Sequence, residues 1–227
     1  MATEWIAENI VEIFGAVTGI AYVILEIRRN IWLWPLGIVT SAVYIYVFGR
    51  EGFYANMGLQ WYYLVISIYG WYQWSEAITS KKEEARRASG IVDPGDTQIT
   101  LPQKNPENID GAIDADVRLI DRFTAAWCIF AAVLLWIVLW FALDRATDSP
   151  VPLWDGLIAS LSVVATWMLT RKYIEQWYVW IFANAIAVAV YLASGLYPTA
   201  VLFMVYFVMA IFGVREWARD RAIGSRQ

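Results

Sequence analysis

Trp177, Trp180 and Asn184 place two indoles and a carboxamide at spacings of three and four inside the apolar run WYVWIFAN. At ~100° per residue a helix gathers these positions on one face, within ~60° of arc. Such groups recognise rather than react. An indole offers stacking area and, to a cationic ring, a cation–π face. A carboxamide offers donor and acceptor together. A second stripe, Asn56, Gln60, Tyr63 and Ser67, follows spacings of four, three and four. Both stripes suit a planar heteroaromatic or sugar-bearing ligand. The competing reading is a packed helix seam with interhelical hydrogen bonds.

The chain contains no histidine, so a His proton relay or a His metal site is excluded. Its single cysteine, Cys128, allows no intramolecular disulfide. Lysine occurs only at 81, 82, 104 and 172, none of them mid-span, which excludes a retinal Schiff base. No GxxxxGK[ST] motif is present, so ATP hydrolysis is not expected. With no Cys/His or Ser/His pair either, the chain is expected not to be an enzyme, and neither cofactor nor metal is called for.

The surroundings of the stripes point to lipid. Hydrophobic residues make up 59% of the 227 and charged residues only 17%, more apolar surface than a water-soluble domain of this length hides. The runs 31–49, 52–75 and 123–143 carry no charge and approach or reach the length that crosses a ~30 Å hydrocarbon core. The uncharged run 176–214 holds two spans, with ASGLYP at 193–198 as their turn. Shorter spans at about 10–27 and 154–170 bring the expected total to seven. The opening MATEWIAENI lacks the basic stretch of a cleaved signal peptide. Seven spans put fifteen Lys and Arg on one side and two on the other. The positive-inside rule then places the N-terminus outside and the C-terminus in the cytoplasm. The polar segment 79–122 is expected to be a cytoplasmic connector, disordered or partly helical near the membrane.

That connector separates two similar halves. Shifted by 143 residues, Arg28, Trp34, Gly52, Tyr63, Gly70 and Trp74 fall on Arg171, Trp177, Gly195, Tyr206, Gly213 and Trp217. Spans 1–3 thus correspond to spans 5–7, and span 4 stands alone. The expected fold is all-α, seven transmembrane helices in a 3+1+3 parallel repeat. Its parts are a first three-helix bundle (1–78), the polar loop (79–122), a linker helix (123–143), a second bundle (154–217) and a tail (218–227). Parallel repeats are a transporter plan with the substrate at the repeat interface.

Polarity differs between matched positions. Asn56, Gln60, Tyr63 and Ser67 meet Thr199, Phe203, Tyr206 and Ala210; Trp177, Trp180 and Asn184 meet Trp34, Gly37 and Ser41. A pseudo-symmetric shell with asymmetric polar decoration suits an asymmetric small molecule. The substrate-binding candidates are Trp177, Trp180, Asn184, Gln60, Asn56, Tyr63, Ser67, Tyr206 and Trp34. Trp5, Trp32, Trp154 and Trp217, near span ends, are expected in the interfacial aromatic belt. Gly52 and Gly195 are expected to close turns. Glu12, Asp155 and Glu26, also near span ends, are expected to reach water.

The stretches RNIWLWPLGIVTSAVYIYVFGREGFYANMGLQWYYLVISIYGWYQW (29–74) and RKYIEQWYVWIFANAIAVAVYLASGLYPTAVLFMVYFVMAIFGVREW (171–217) resemble the two repeats of the Pnu-type vitamin transporters. Within that family they are most similar to the PnuC nicotinamide riboside transporters. The resemblance implies facilitated diffusion of nicotinamide riboside through the inner membrane into a bacterial cytoplasm. It also implies trapping by a separate kinase, and a fold similar to the sugar-carrying SWEET proteins. Thiamine or riboflavin transport, or carriage of a small sugar, are the alternatives. The expected partners are the small-molecule substrate and the lipid bilayer, with no nucleic acid; homo-oligomer formation stays open.

Overall fold

The computed structural model describes residues 10–51, 54–88, 117–147 and 151–224. Seven helices run through them: α1 (Ile10–Ile27), α2 (Leu33–Glu51), α3 (Tyr54–Ala88), α4 (Arg122–Ala146), α5 (Pro152–Thr170), α6 (Gln176–Ala193) and α7 (Tyr197–Gly224). Glu12 belongs to α1, but its side chain lies outside the described residues, as do Trp5 and Gly52.

The helix ends repeat as the sequence does. At the end of α1, Asn30 N–H donates to Leu25 O at 2.9 Å and Arg29 N–H to Glu26 O at 3.0 Å, with Arg29 at φ 49°. At the end of α5, Tyr173 N–H donates to Met168 O at 3.1 Å and Lys172 N–H to Leu169 O at 2.9 Å, with Lys172 at φ 56°. These are Schellman turns built on a residue other than glycine. The left-handed backbone costs such a residue ~1–2 kcal/mol, and both halves keep it at matched positions. Gly195, at φ 74°, ends α6 in the same way, with Leu196 N–H donating to Tyr191 O at 2.9 Å.

Within the halves, α2 packs on α3 and α6 on α7; α4 packs on α5. Across the halves, α1 packs on α7 and α3 on α5, a pair of contacts related by the repeat. Their shared apolar core includes Leu33, Trp34, Trp74, Leu169, Ile174, Trp177 and Trp217. On α4, by contrast, Phe123 is 73% and Ile129 67% exposed, a surface that needs lipid to cover it. Asp121 caps this helix. Hydrogen bonds from the side chain and backbone of Thr124 hold its carboxyl below the usual carboxylate range.

Five of the described helices are long and apolar enough to cross a membrane by length and composition: α2, α4, α5, α6 and α7. In α1 the described apolar stretch is Ile13–Ile27. The hydropathy of α3 is lowered by its tyrosines, carboxamides and charged far end. The 79–122 connector begins as helix. Helix α3 continues to Ala88, and Arg118 pairs with the α5–α6 turn through bonds to Lys172 O (3.0 Å) and from Ile174 N–H (3.1 Å).

Candidate functional site

A cavity of about 1080 Å³ lies between the two halves. Helix α6 supplies Trp177, Trp180 and Asn184, and α3 supplies Gln60, Tyr63 and Ser67. Tyr206 and Phe203 come from α7, and Gly37 and Ser41 from α2. The two stripes therefore face the same space. The 3.6-residue period brings each to one side of its helix, and the packing of the halves turns those sides toward each other.

The placement sorts the expected residues. Asn184 is buried at 5% exposure and Ser67 at 3%. The Trp180 indole Nε1 is buried on the wall with no hydrogen-bond partner in the protein. Gln60, Tyr63 and Tyr206 are half-buried. Trp177 borders the cavity, yet its ring is held edge-on to Trp217 (centroids 5.6 Å apart, 86°) and against Gly213. A Cβ at Gly213 would lie 2.6 Å from that ring, so only glycine permits the approach.

Two candidates lie off the cavity wall. Trp34 is fully buried in the apolar core and does not line the cavity. It repeats the Trp177 arrangement, with Trp74 edge-on at 5.3 Å and a Cβ at Gly70 only 2.5 Å from its ring. Asn56 is exposed in the first turn of α3 and is not on the wall; the stripe begins one turn before the cavity does. Trp217 is likewise not in the aromatic belt but at 0% exposure in the seam. Trp32 and Trp154 are exposed at 67% and 43%.

The sequence stripes missed the α1 and α5 walls. Tyr22 and Glu26 stand one turn apart on α1, and Ser162 and Thr166 one turn apart on α5. Glu26 does not reach water as expected: it is 2% exposed. Its available signal was the four-residue spacing from Tyr22 on an otherwise apolar helix. Ser162 faces Tyr63 across the α3–α5 seam, its hydroxyl donating to Ile158 O at 2.8 Å. Tyr62 reinforces that seam by donating to Val163 O at 2.7 Å. Glu26 is the only Asp, Glu, Lys or Arg side chain on the cavity wall among the described residues. The arrangement can stack a flat ring, hydrogen-bond amides and hydroxyls, and accept positive charge. It offers no cation to an anion.

The family model described as nicotinamide mononucleotide transporter matches residues 9–219. The nicotinamide riboside transporter PnuC of Escherichia coli (strain K12) is 25% identical over 219 residues, covering 95% of this chain and 88% of that protein. The riboflavin/roseoflavin transporter RibM of Streptomyces davaonensis is 24% identical over 218 residues, covering 91% of this chain and 83% of its own. A crystal structure of the vitamin B3 transporter PnuC shares the fold, with a TM-score of 0.63 at 19% identity over 95% of this chain and 83% of that one. Matched along nearly its whole length, the chain belongs to the nicotinamide mononucleotide transporter family and is a multi-pass membrane transporter, not an enzyme.

Proposed function

We propose that this transporter carries nicotinamide riboside, and that the single observation carrying this is the composition of the cavity wall. Trp180 offers a ring face and a free indole N–H, Asn184 and Gln60 offer carboxamides, and Glu26 is the one charged side chain among the described residues of the wall. A cationic pyridinium with a carboxamide and a ribose meets each of these with a complementary group. The mononucleotide would bring a phosphate into a wall without Lys or Arg. Burying that anion unpaired is prohibitively costly. The relative named nicotinamide riboside transporter supports the same choice.

Transport on this reading is facilitated diffusion. The two halves rock about the cavity and expose it alternately, in a seven-span, 3+1+3 SWEET-like arrangement. The cross-half contacts α1–α7 and α3–α5, which the repeat relates, support a rocking pair. Glu26 is an interior acid, and a cationic ligand as its counter-charge leaves it no proton to carry. Dependence of vesicle uptake on a proton or sodium gradient would count against this. The family resemblance favours the inner membrane of a bacterium, and the Lys and Arg bias favours an N-terminus outside and a C-terminus in the cytoplasm.

The test is titration of the purified protein with nicotinamide riboside, thiamine and riboflavin, followed by tryptophan fluorescence. Quenching by nicotinamide riboside, with saturable uptake into proteoliposomes, is expected. The relative named riboflavin/roseoflavin transporter favours riboflavin as the second reading. Binding of riboflavin alone would establish it, and competition by free sugars would point to a sugar carrier instead.

A further inference from the structure

Glu26 and Gln176 form a buried polar pair between the two halves. Glu26, near the end of α1, is 2% exposed and borders the cavity; Gln176, opening α6, is 0% exposed. The two side chains lie side by side. Yet Glu26 Oε1 and both polar atoms of the Gln176 side chain lack a protein hydrogen-bond partner at hydrogen-bonding distance. A buried group in that condition costs stability, and it is retained where something else gains from it.

The repeat shows that the fold does not need polarity here. The positions matched to Glu26 and Gln176 are Leu169 and Leu33. Both are buried, at 1% and 0% exposure, in the apolar core. The same scaffold location is therefore filled by two leucines in one copy and by a carboxylate and a carboxamide in the other. Only the polar copy borders the cavity through its acid.

The neighbouring basic residues do not replace a ligand. Arg28 is exposed, Arg29 is engaged with Asp220 at 2.5 Å, and Lys172 sits over the Trp74 ring at 4.7 Å. A lone carboxylate beside one amide is also too few donors for a metal ion, which takes four or more. What it matches is an organic cation carrying its own hydrogen-bonding groups.

We infer that Glu26, with Gln176 beside it, is the charge selector of the cavity: it favours a cationic heteroaromatic ring over an uncharged ring of the same outline. This rests on the proposed transport of nicotinamide riboside and adds what chooses it over neutral relatives. Trp180 stacks on both rings and adds a cation–π share for the charged one, Asn184 reads hydrogen bonds that both present, and Glu26 supplies the full negative charge that the preference should follow.

The test compares nicotinamide riboside with its reduced dihydro form, which keeps the ribose and the carboxamide but loses the ring charge. Affinities are measured on the full chain in detergent for wild type, Glu26→Gln and Glu26→Asp. Wild type should prefer the cation, and Glu26→Gln should cut that preference by about tenfold or more, as loss of a charge-assisted contact does. Glu26→Asp should keep part of it. The same ratio in wild type and Glu26→Gln would overturn the inference and leave the proposed substrate standing. So would equal binding of both forms by wild type, a measurement that depends on no variant folding. No binding of nicotinamide riboside by wild type would overturn the proposed substrate and the selector with it.

Discussion

Trp74, on α3, donates its indole N–H to the carbonyl of Thr170, the last residue of α5, at 3.2 Å. Shifted by the repeat, Trp217 on α7 donates to the carbonyl of Ile27, the last residue of α1, also at 3.2 Å. Each half thus satisfies a helix-end carbonyl of the other, a group the helix cannot satisfy itself. The two bonds sit beside the two left-handed turns, at Lys172 and Arg29. The seam between the halves is pinned twice, by the same chemistry, at equivalent places.

Trp74→Phe and Trp217→Phe each leave one such carbonyl without its partner while keeping most of the ring packing. Each is expected to destabilise the protein by about 1–3 kcal/mol. The matched geometry further predicts that the two losses are similar. Thermal unfolding of the purified variants in one detergent checks this. A large loss in one and none in the other would show that the two pins do not bear equally.

The glycines facing the seam tryptophans are expected to be as sensitive. Gly70→Ala would place a methyl 2.5 Å from the Trp34 ring and Gly213→Ala one 2.6 Å from the Trp177 ring. Neither indole has free space to retreat into, since Trp74 and Trp217 hold the other edges. Overpacking of this kind costs about 1–3 kcal/mol. Gly213→Ala has a second consequence that Gly70→Ala lacks. Trp177 borders the cavity and Trp34 does not, so only Gly213→Ala should also change ligand affinity. Paired melting curves and binding titrations separate the two.

Trp180 and Trp34 separate recognition from packing more directly. Asn184→Ala and Trp180→Phe remove groups on the wall, and each is expected to weaken ligand binding by about 1–3 kcal/mol. Trp34→Phe is expected to lower the melting temperature and leave affinity unchanged, because the indole is enclosed by Trp74 and Gly70. Asn56→Ala should change neither. Fluorescence titration of the four variants decides whether the wall residues hold the ligand, and unchanged affinity in both Asn184→Ala and Trp180→Phe would remove them from the site.

The helices and the repeat were legible in the sequence because uncharged runs and matched residues record them directly. The site was only half legible, and the repeat explains why. Residues identical in the two halves, such as Trp34 with Trp177 and Trp74 with Trp217, turn out to be those that the pseudo-symmetric seam requires. Residues that differ give the wall its asymmetry: Gln60 and its match Phe203, and Asn184 and its match Ser41, all line the cavity, while Glu26 lines it and its match Leu169 does not. Trp34, the match of Trp177, lies in that seam and off the wall. Tyr63 and Tyr206 are the exception, identical and both on the wall. Glu26 was misjudged for another reason. Its distance along the helix places it near a span end, but α6 and its Gln176 cover that end, and no local pattern in α1 records a helix packed from elsewhere in the chain.

Orientation can be tested with the single native thiol removed. Glu83 is exposed on the charged extension of α3, on the side that collects most of the Lys and Arg. In a Cys128→Ser background, Glu83→Cys is expected to react with a membrane-impermeant maleimide in inside-out vesicles and to resist it in intact cells. That result places the α3 extension in the cytoplasm, as the charge bias requires. It also fixes the side on which the Arg29–Asp220 bridge closes, because the α1–α2 turn and the end of α7 meet there. Labelling of intact cells would invert the topology. It would then put the excess of basic residues outside, against the strongest sorting signal in the sequence.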